Sequence, residues 1–345
     1  MDSKDIARLA GVSRSTISKV VNDYEHVSDK TKKKVLEVVN KYGYVPHASA
    51  RNLAGKTNKI IGVFITDINH DSRNLKVIES DYFSPFTTAT IDLADRYNYN
   101  VLVLIIDNKR EFEKVRKLLY NKTISGGIFI GVENNVTEIF ELVNSGYKLV
   151  IIDQDELKNK KFGKHIVINS RNLEGAYMAT KHLIDYGHRE IAHICGDLNK
   201  HSGLKRLEGY KKALNEYGLP FKKEYIAEGD FTENSGYEAA EKLFTKDSTI
   251  TGIFASSDTM VIGAMKFMKE IGLKVPDDIS IVGYDDIRAA GYISPALTTI
   301  RVSMVEMASI AVKNLIKFIE KDSAYNRYNT IATELIIRDS SRKII

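Results

Sequence analysis

The chain has 345 residues, of which 43% are hydrophobic and 28% are charged, with a formal net charge of +5. This composition is that of a globular protein of about two domains, and it excludes a disordered or fibrous chain. No apolar run is long enough to span a bilayer, no signal segment opens the chain, and the single cysteine, Cys195, excludes internal disulfides. We therefore expect a cytoplasmic protein in which Cys195 is a buried strand residue.

The N-terminal residues have the pattern of a helix-turn-helix. A first helix is predicted over 4–10, a glycine supplies the turn, and Ser13 is predicted to cap a second helix over 14–22. In this motif the second helix enters the major groove of DNA and reads base edges. A third helix is predicted over 29–42, capped by Ser28. The residues expected to form the core of these helices are Ile6, Leu9, Ala10, Ile17, Val20, Val21, Val35, Leu36 and Val39.

The positive charge of the chain is concentrated in the same part. Residues 1–59 contain 12 basic and six acidic residues, whereas the remainder contains 38 basic and 39 acidic residues. A positive excess confined to one segment is the electrostatic pattern that contact with DNA phosphates requires. On the second helix the spacing leaves Arg14, Ser15, Thr16 and Lys19 to face DNA.

A short helix is predicted over 46–55, because Pro46 is favoured in a first turn and Gly55 just beyond a helix end. A helix of about two turns is unstable alone in water. The segment is therefore either a helix that folds only against a partner or DNA, or a plain interdomain linker.

The motifs of these segments occur in the order and spacing of one family. They include Ala10-Gly11-Val12-Ser13, Thr16-Ile17-Ser18, Tyr42-Gly43-Tyr44-Val45-Pro46 and Ala50-Arg51-Asn52-Leu53. The chain thereby resembles the lactose/galactose-repressor (LacI/GalR) family of transcription factors. The resemblance implies a homodimer on a pseudo-palindromic operator, with Leu53 as a wedge that kinks the DNA in the minor groove. The DNA-binding residues that it implies are Ser13, Arg14, Ser15, Thr16, Lys19, Asn22, Ser28, Tyr44, Ala50 and Leu53.

From residue 60 onward, β-rich runs alternate with amphipathic stretches, which predicts parallel sheets flanked by helices. Ser84-Pro85 is predicted to open one of these helices. The family resemblance implies an α/β core of two doubly wound subdomains of the periplasmic-binding-protein type I, with a ligand in the cleft between them. The expected division is a headpiece over 1–45, a hinge helix and linker over 46–59, and a core over 60–345. The first subdomain is expected at 60–168 and 298–325, and the second at 169–297 and 326–345. The predicted strands are 60–66, 101–106, 127–130, 149–152, 191–195, 252–255 and 279–283.

Asp153, Asp258 and Asp285 each follow a predicted strand. Open parallel sheets bind ligands beyond the carboxyl ends of their strands. Carboxylates there accept hydrogen bonds from vicinal hydroxyls, and an arginine can donate a fork to the same ligand. An alternative is that Asp258 and Asp285 only cap the helices that follow them. The effector-binding residues that the resemblance implies are Arg206, Asp285, Asp258, Asp153, Tyr82 and Phe83.

The sequence also departs from the family pattern. Ser257 stands where asparagine is usual, Asn169 where aspartate is common, and residues 70–79 are an insertion at the mouth of the cleft. The insertion is either a lid or a solvated loop. Because of these departures, the family resemblance does not identify the effector of this chain.

The predicted function is a sequence-specific DNA-binding transcriptional regulator, a repressor, controlled by a small-molecule effector that is a sugar or sugar derivative. The alternatives are a corepressor-dependent regulator responding to a nucleobase or partner protein, a sugar-binding protein, and an enzyme. The sequence places no nucleophile, base and carboxylate together, and its histidines lack metal spacing, so neither catalysis nor a cofactor or metal is expected. The homodimer implied by the resemblance is expected in preference to a tetramer, because no heptad helix follows the core.

Overall fold

The computed structural model describes residues 2–21, 27–43, 58–66, 80–134, 136–154, 165–244, 249–321 and 327–344. The predictions for Asn22, Tyr44, Ala50 and Leu53, for the helix over 46–55 and for the insertion over 70–79 lie outside these residues.

The helices are α1 (Ser3–Ala10), α2 (Arg14–Val21), α3 (Asp29–Lys41), α4 (Phe83–Asp95), α5 (Lys109–Tyr120), α6 (Thr137–Asn144), α7 (Asn172–Asp185), α8 (His201–Glu216), α9 (Glu233–Phe244), α10 (Asp258–Glu270) and α11 (Met304–Lys321). The strands are β1 (Ile60–Thr66), β2 (Asn100–Ile106), β3 (Gly127–Ile130), β4 (Leu149–Ile152), β5 (Ile166–Ser170), β6 (Ile191–Cys195), β7 (Ile226–Glu228), β8 (Gly252–Ala255), β9 (Ser280–Asp285), β10 (Thr298–Val302), β11 (Tyr328–Ile331) and β12 (Thr333–Ile336).

Side-chain caps fix the first two helices of the headpiece. Asp2 accepts hydrogen bonds from the backbone N–H groups of Lys4 and Asp5, and the Asp5 carboxylate accepts one from the Asp2 backbone. Ser13 Oγ accepts from the Thr16 N–H at 3.1 Å, which confirms its predicted role as a cap. The predicted cap by Ser28 is wrong in its chemistry: Ser28 occupies the N-cap position, but its side chain makes no cap hydrogen bond.

The core of the headpiece differs from the prediction at two leucines. Leu9 is 44% exposed and Leu36 is 42% exposed, so the expectation that both are buried is wrong. The buried face of α1 runs through Ala7 instead of Leu9, and α3 presents Val35 to the other helices but turns the next residue to solvent. Sequence spacing defines a broad apolar stripe, and packing in a domain this small covers only its centre. The buried residues are Ile6, Ala7, Ala10, Ile17, Val20 and Val35, with Val21 and Val39 partly buried against them.

Two six-stranded sheets, flanked by helices, contain the described strands from residue 60 onward. The first has the order β11-β5-β4-β3-β1-β2, with every pair parallel. The second has the order β12-β10-β9-β8-β6-β7 and is parallel except for β12, which runs antiparallel to β10. A helical headpiece and two doubly wound α/β units are therefore present, as the sequence predicted. We call these units the first lobe and the second lobe after their sheets.

The chain passes between the lobes at different points from those predicted. Strand β10 pairs with β9 in the second sheet, although residues 298–325 were assigned to the first lobe. Strand β11 pairs with β5 in the first sheet, although residues 326–345 were assigned to the second. Helix α11, between these strands, packs on α4 of the first lobe. Alternating strands and helices identify the elements, whereas hydrogen bonding between distant strands decides which sheet each edge strand joins.

Candidate functional site

The exposed edge of α2 carries the polar residues that were predicted to contact DNA. Ser13, Arg14, Ser15 and Lys19 are exposed and Thr16 is half-buried, whereas other positions of the same helix are buried in the headpiece core. Arg14 donates from Nε to Ser3 Oγ at 3.1 Å, which ties its side chain to the start of α1. The helix therefore presents a cationic, hydroxyl-rich edge of the kind that enters a major groove.

The second candidate site lies between the lobes, and the first lobe supplies two aromatic rings to it. Ser80 Oγ accepts hydrogen bonds from the N–H groups of Tyr82 and Phe83, at 3.1 and 3.2 Å, at the start of α4. The prediction that Ser84 opens this helix is wrong, because Ser80 supplies the acceptor earlier in the chain and the helix begins at Phe83. The two rings meet edge to face with centroids 5.3 Å apart.

Arg206 of α8 is the central residue of the second lobe's contribution and is 4% exposed. It donates from Nε to Asn172 Oδ1 at 3.0 Å and from Nη1 to the carbonyl oxygen of Ser256. Its guanidinium carbon lies 3.6 Å from the centre of the Tyr284 ring, and Nη2 lies 3.3 Å from Asp285 Oδ1. A buried charge held on every side in this way keeps one orientation.

Asp285, at the end of β9, faces Arg206. Its backbone is left-handed, with φ of 107°, a costly conformation that recurs at functional sites. Burial raises the pKa of Asp285 to about 6, against the lowering effect of Arg206. Within the described chain, no donor forms a well-aligned hydrogen bond with Asp285 Oδ1, a buried acceptor atom. An acceptor in this state is satisfied by a ligand hydroxyl or by water.

Asp153 brings a carboxylate from the first lobe to the same place. It follows β4, has a left-handed φ of 64°, and accepts a hydrogen bond from Asn172 Nδ2 at 2.8 Å. Burial first, and then the charges of Asp153 and Asp285, raise the pKa of Tyr82 above its usual range. Tyr82, Asp153, Arg206 and Asp285, predicted from the sequence, are thus brought together from both lobes.

Asp258 has a different environment. It is fully buried, and its carboxylate accepts from the Ile287 N–H at 2.9 Å and from Thr299 Oγ1 at 2.6 Å. Burial and the nearby Asp285 raise the pKa of Asp258 well above its ordinary value. A side chain on Gly283 would place Cβ 2.1 Å from Asp258 Oδ1, so the strand passes directly over this carboxylate. These contacts fasten β9, β10 and the loop after Asp285 to one another.

The interpretation of Asp258 and Asp285 as helix caps is wrong for both. Ser257 is the N-cap of α10, where its Oγ accepts from the Met260 N–H at 3.2 Å, and Asp258 is the first helical residue. Asp285 ends a strand, and the short 3-10 helix beyond it, Arg288–Gly291, is preceded by Ile287 at its N-cap. Ser257, one of the departures from the family pattern, is therefore used by the fold.

Sequence reasoning missed three residues of the site. Asn172 touches both Asp153 and Arg206, while Tyr284 and Phe231 flank the guanidinium with their rings, Phe231 at 5.8 Å. Tyr284 precedes a predicted ligand residue and Asn172 follows a strand end, and both positions are signals for a site. Strand β5 itself, however, was not predicted.

The cleft therefore combines two carboxylates, one guanidinium and aromatic rings from two lobes. These groups accept hydrogen bonds from hydroxyls, donate to ligand oxygens and stack on a flat or ring-shaped face. Among the described residues, no group of three or more histidine, cysteine, aspartate or glutamate side chains is arranged to hold a metal ion. Within the same residues, no helix has the length and apolar character needed to cross a membrane.

The fold and these two sites define a class of protein: a DNA-binding headpiece followed by a two-lobed ligand-binding core. Residues 4–47 match the family model described as bacterial regulatory proteins, lacI family, and residues 180–341 match the periplasmic binding protein-like domain. The HTH-type transcriptional repressor PurR of Haemophilus influenzae is 33% identical, covering 99% of each chain. Catabolite control protein A of Priestia megaterium is 33% identical, covering 98% of each chain.

Among solved structures, the lac repressor dimer bound to operator and the anti-inducer ONPF superposes with a TM-score of 0.81 at 26% identity over 98% of each chain. The chain belongs to the LacI family of bacterial regulatory proteins, and it is a DNA-binding transcriptional regulator.

Proposed function

We propose that the chain is a repressor that binds a pseudo-palindromic operator as a homodimer and releases it when a carbohydrate binds between the lobes. The similarity to repressors over nearly the whole chain and to an operator-bound dimer supports this proposal. The exposed polar edge of α2 and the positive charge of residues 1–59 supply the contacts to DNA.

The observation that carries the choice of ligand is the buried Oδ1 of Asp285, which is ion-paired with Arg206 Nη2 at 3.3 Å but receives no well-aligned hydrogen bond from the described residues, with Asp153 on the other side of the cleft. Two carboxylates and one guanidinium favour a neutral ligand rich in hydroxyl donors over an anion, because an anion would meet two negative charges. Tyr82 and Phe83 offer faces for the apolar side of a sugar ring. A sugar or sugar derivative satisfies both requirements.

Ligand binding between the lobes changes operator affinity only if the ligand binds one arrangement of the lobes more tightly than another. A hydroxylated ligand that contacts Asp153 on one side and Asp285 on the other favours a closed cleft. Closure alters the angle that the first lobes of a dimer present to the headpieces. Operator release then follows as a shift of population.

The test begins with a thermal-shift screen of the full chain against sugars, sugar acids, sugar phosphates and nucleobases. A ligand at a hundred times its dissociation constant adds about 2.7 kcal/mol of stability, which raises the melting temperature by roughly 5–10 °C. Each hit is then added to a complex of the protein with a duplex selected from genomic fragments, and operator affinity is measured by fluorescence anisotropy. Release by a sugar supports the proposal. Tighter binding in the presence of a nucleobase contradicts it and establishes a corepressor instead.

Arg206→Lys is the matched variant for this assay. Lysine keeps the positive charge beside Asp285 but cannot supply the planar set of donors that reaches Asn172 and Ser256 together. We expect the ligand-dependent change in operator affinity to disappear. If the sugar changes the operator affinity of Arg206→Lys as much as that of the unchanged protein, Arg206 does not contact the ligand.

A further inference from the structure

Asn172 occupies the position where the chain has just passed from the first sheet to the second. It is the first residue of α7, which packs against strands of the second sheet, and it follows β5 of the first sheet. Its side chain is 2% exposed. A polar side chain so deeply buried is retained only when its hydrogen bonds are satisfied.

The two polar atoms of the Asn172 side chain make hydrogen bonds to residues of different lobes. Nδ2 donates to Asp153 Oδ1 of the first lobe at 2.8 Å, and Oδ1 accepts from Arg206 Nε of the second lobe at 3.0 Å. With Asp285 3.3 Å beyond Arg206, the result is a continuous series of carboxylate, amide, guanidinium and carboxylate across the cleft. Each candidate ligand-binding charge is thus placed relative to the next.

We propose that Asn172 is a positioning residue that couples the two lobes: it holds Asp153 against Arg206 and thereby sets both the closure of the cleft and the spacing of its charged groups. The role toward a ligand rests on the proposed function, whereas the coupling of the lobes does not. A second contact across the lobes, from the Asn134 N–H to the Asn199 carbonyl oxygen at 2.7 Å, uses only main-chain atoms.

The chemistry of the position explains the choice of an amide. Asn172 donates with one end of a short planar group and accepts with the other, which matches a carboxylate on one side and a guanidinium on the other. Aspartate would keep the acceptor for Arg206 but place a negative charge against Asp153. Leucine has a similar shape and supplies neither bond.

The chain contains no tryptophan, so Tyr82→Trp gives it a single tryptophan, placed at the cleft, whose emission can be excited separately from that of the tyrosines. Tyr82 belongs to the first lobe and is half-buried, and the charges of Asp285 and Arg206 in the second lobe act on its hydroxyl group. Opening of the cleft should therefore expose the introduced indole ring to water. The readout is the acrylamide quenching constant of the full chain without any ligand, together with the emission maximum.

In the Tyr82→Trp background, Asn172→Leu is expected to raise the quenching constant and to shift emission to longer wavelength. Loss of one net hydrogen bond corresponds to about a fivefold change in the ratio of open to closed lobes. Asn172→Asp should show the same direction of change while preserving the shape of the side chain. Asp153→Ala cuts the same bond from the other lobe, and the double variant Asp153→Ala/Asn172→Leu should show no more exposure than either single variant.

Thr180→Val is the matched control, because Thr180 is buried in the same helix and donates to the Ala176 carbonyl oxygen within α7 at 2.9 Å. It should lower the melting temperature without changing the quenching constant. Quenching that is unchanged in both Asn172 variants, or changed equally by Thr180→Val, would overturn the proposal. If Asn172→Leu does not fold, Asn172→Asp and Asp153→Ala still decide the matter.

The outcome is separable from that of the ligand screen. A sugar that binds with no effect of Asn172 on quenching overturns only the coupling role. Increased quenching in the Asn172 variants with no ligand found leaves the coupling intact and removes the support for the effector.

Discussion

The headpiece and the cleft place their functional residues in opposite environments. On α2 most of the polar residues predicted to face DNA are exposed, and the buried side chains opposite them are apolar. In and beside the cleft the polar residues are buried: Arg206 donates a hydrogen bond to Asn172, and Asp258 accepts one from the Ile287 N–H. A surface that reads DNA is open before binding, whereas a site that encloses a small molecule must satisfy its own charges inside the protein. The same change of residue therefore has different consequences in the two regions.

The sharpest test of the headpiece is a pair of adjacent substitutions in α3. Val35→Asp places an unpaired charge in a small apolar core, which should unfold the headpiece and weaken operator binding by more than about 100-fold. Leu36→Asp, at a position 42% exposed, should leave the headpiece folded. Circular dichroism and operator titration at one salt concentration check both. Equal loss of binding in the two variants would contradict the described core.

In the cleft, Asp258 and Asp285 provide the corresponding pair. Asp258→Ala leaves the Ile287 N–H and the Thr299 hydroxyl without their acceptor, so the free energy of unfolding should fall by about 3 kcal/mol. Asp285→Ala removes the ion pair with Arg206, but it should cost less stability because the guanidinium keeps its hydrogen bonds to Asn172 and Ser256. It should abolish binding of any ligand found in the screen. Urea denaturation and calorimetric titration separate the two effects. A greater loss of stability in Asp285→Ala would reverse the roles of the two carboxylates.

The pH dependence of the free energy of unfolding should reveal the titration of His193, which is buried in the second sheet. His193 stacks between the rings of Tyr210 and Phe254, and burial lowers its pKa to about 4 from the ordinary 6.5. Above pH 6.5 the histidine is neutral in both states. As the pH falls from 6.5 to about 4, the unfolded chain binds a proton that the folded chain does not, so stability decreases.

His193→Phe keeps a ring and removes the titrating group. Its free energy of unfolding should fall less steeply over that range, by about 2–3 kcal/mol in total. Asp285, whose pKa is raised to about 6, contributes in the opposite direction and is present in both proteins. Urea denaturation at about pH 7.5, 6.0, 5.0 and 4.0, which spans the pKa of His193 in the unfolded and folded states, would show the difference in slope between the two proteins. Parallel curves for the two proteins would mean that His193 does not titrate as described.

The smallest of these effects belongs to the exposed surface. Arg14→Ala should relax base preference at one operator position by about tenfold and leave the melting temperature of the core unchanged. Lys19→Ala is the matched variant on the same edge of α2. Selection of bound sequences by each variant, at fixed salt, shows which positions lose preference. If both variants select the same sequences as the unchanged protein, these two side chains of α2 do not recognise bases.

Much of the architecture follows from local patterns. Helical spacing and caps predicted α1 and α2, and apolar runs predicted seven strands of the core, of which β1, β3, β4, β6 and β8 have the expected bounds. These elements are apolar runs between turn signals, so the pattern of a few neighbouring residues suffices. Strands β5, β7, β10, β11 and β12 were not predicted. Some of these are short or partly exposed, and they acquire strand structure by pairing with distant partners.

The sequence by itself determined the family, the helix-turn-helix and most of the charged residues that meet in the cleft, because those depend on residue type and local order. Tertiary structure alone decided that β10 belongs to the second lobe, that Leu9 and Leu36 face solvent, and that Asp258 is used by the fold. It also made Asn172 the link between Asp153 and Arg206. Such contacts join residues far apart in the chain, and their energies depend on burial and distance, which no local pattern contains.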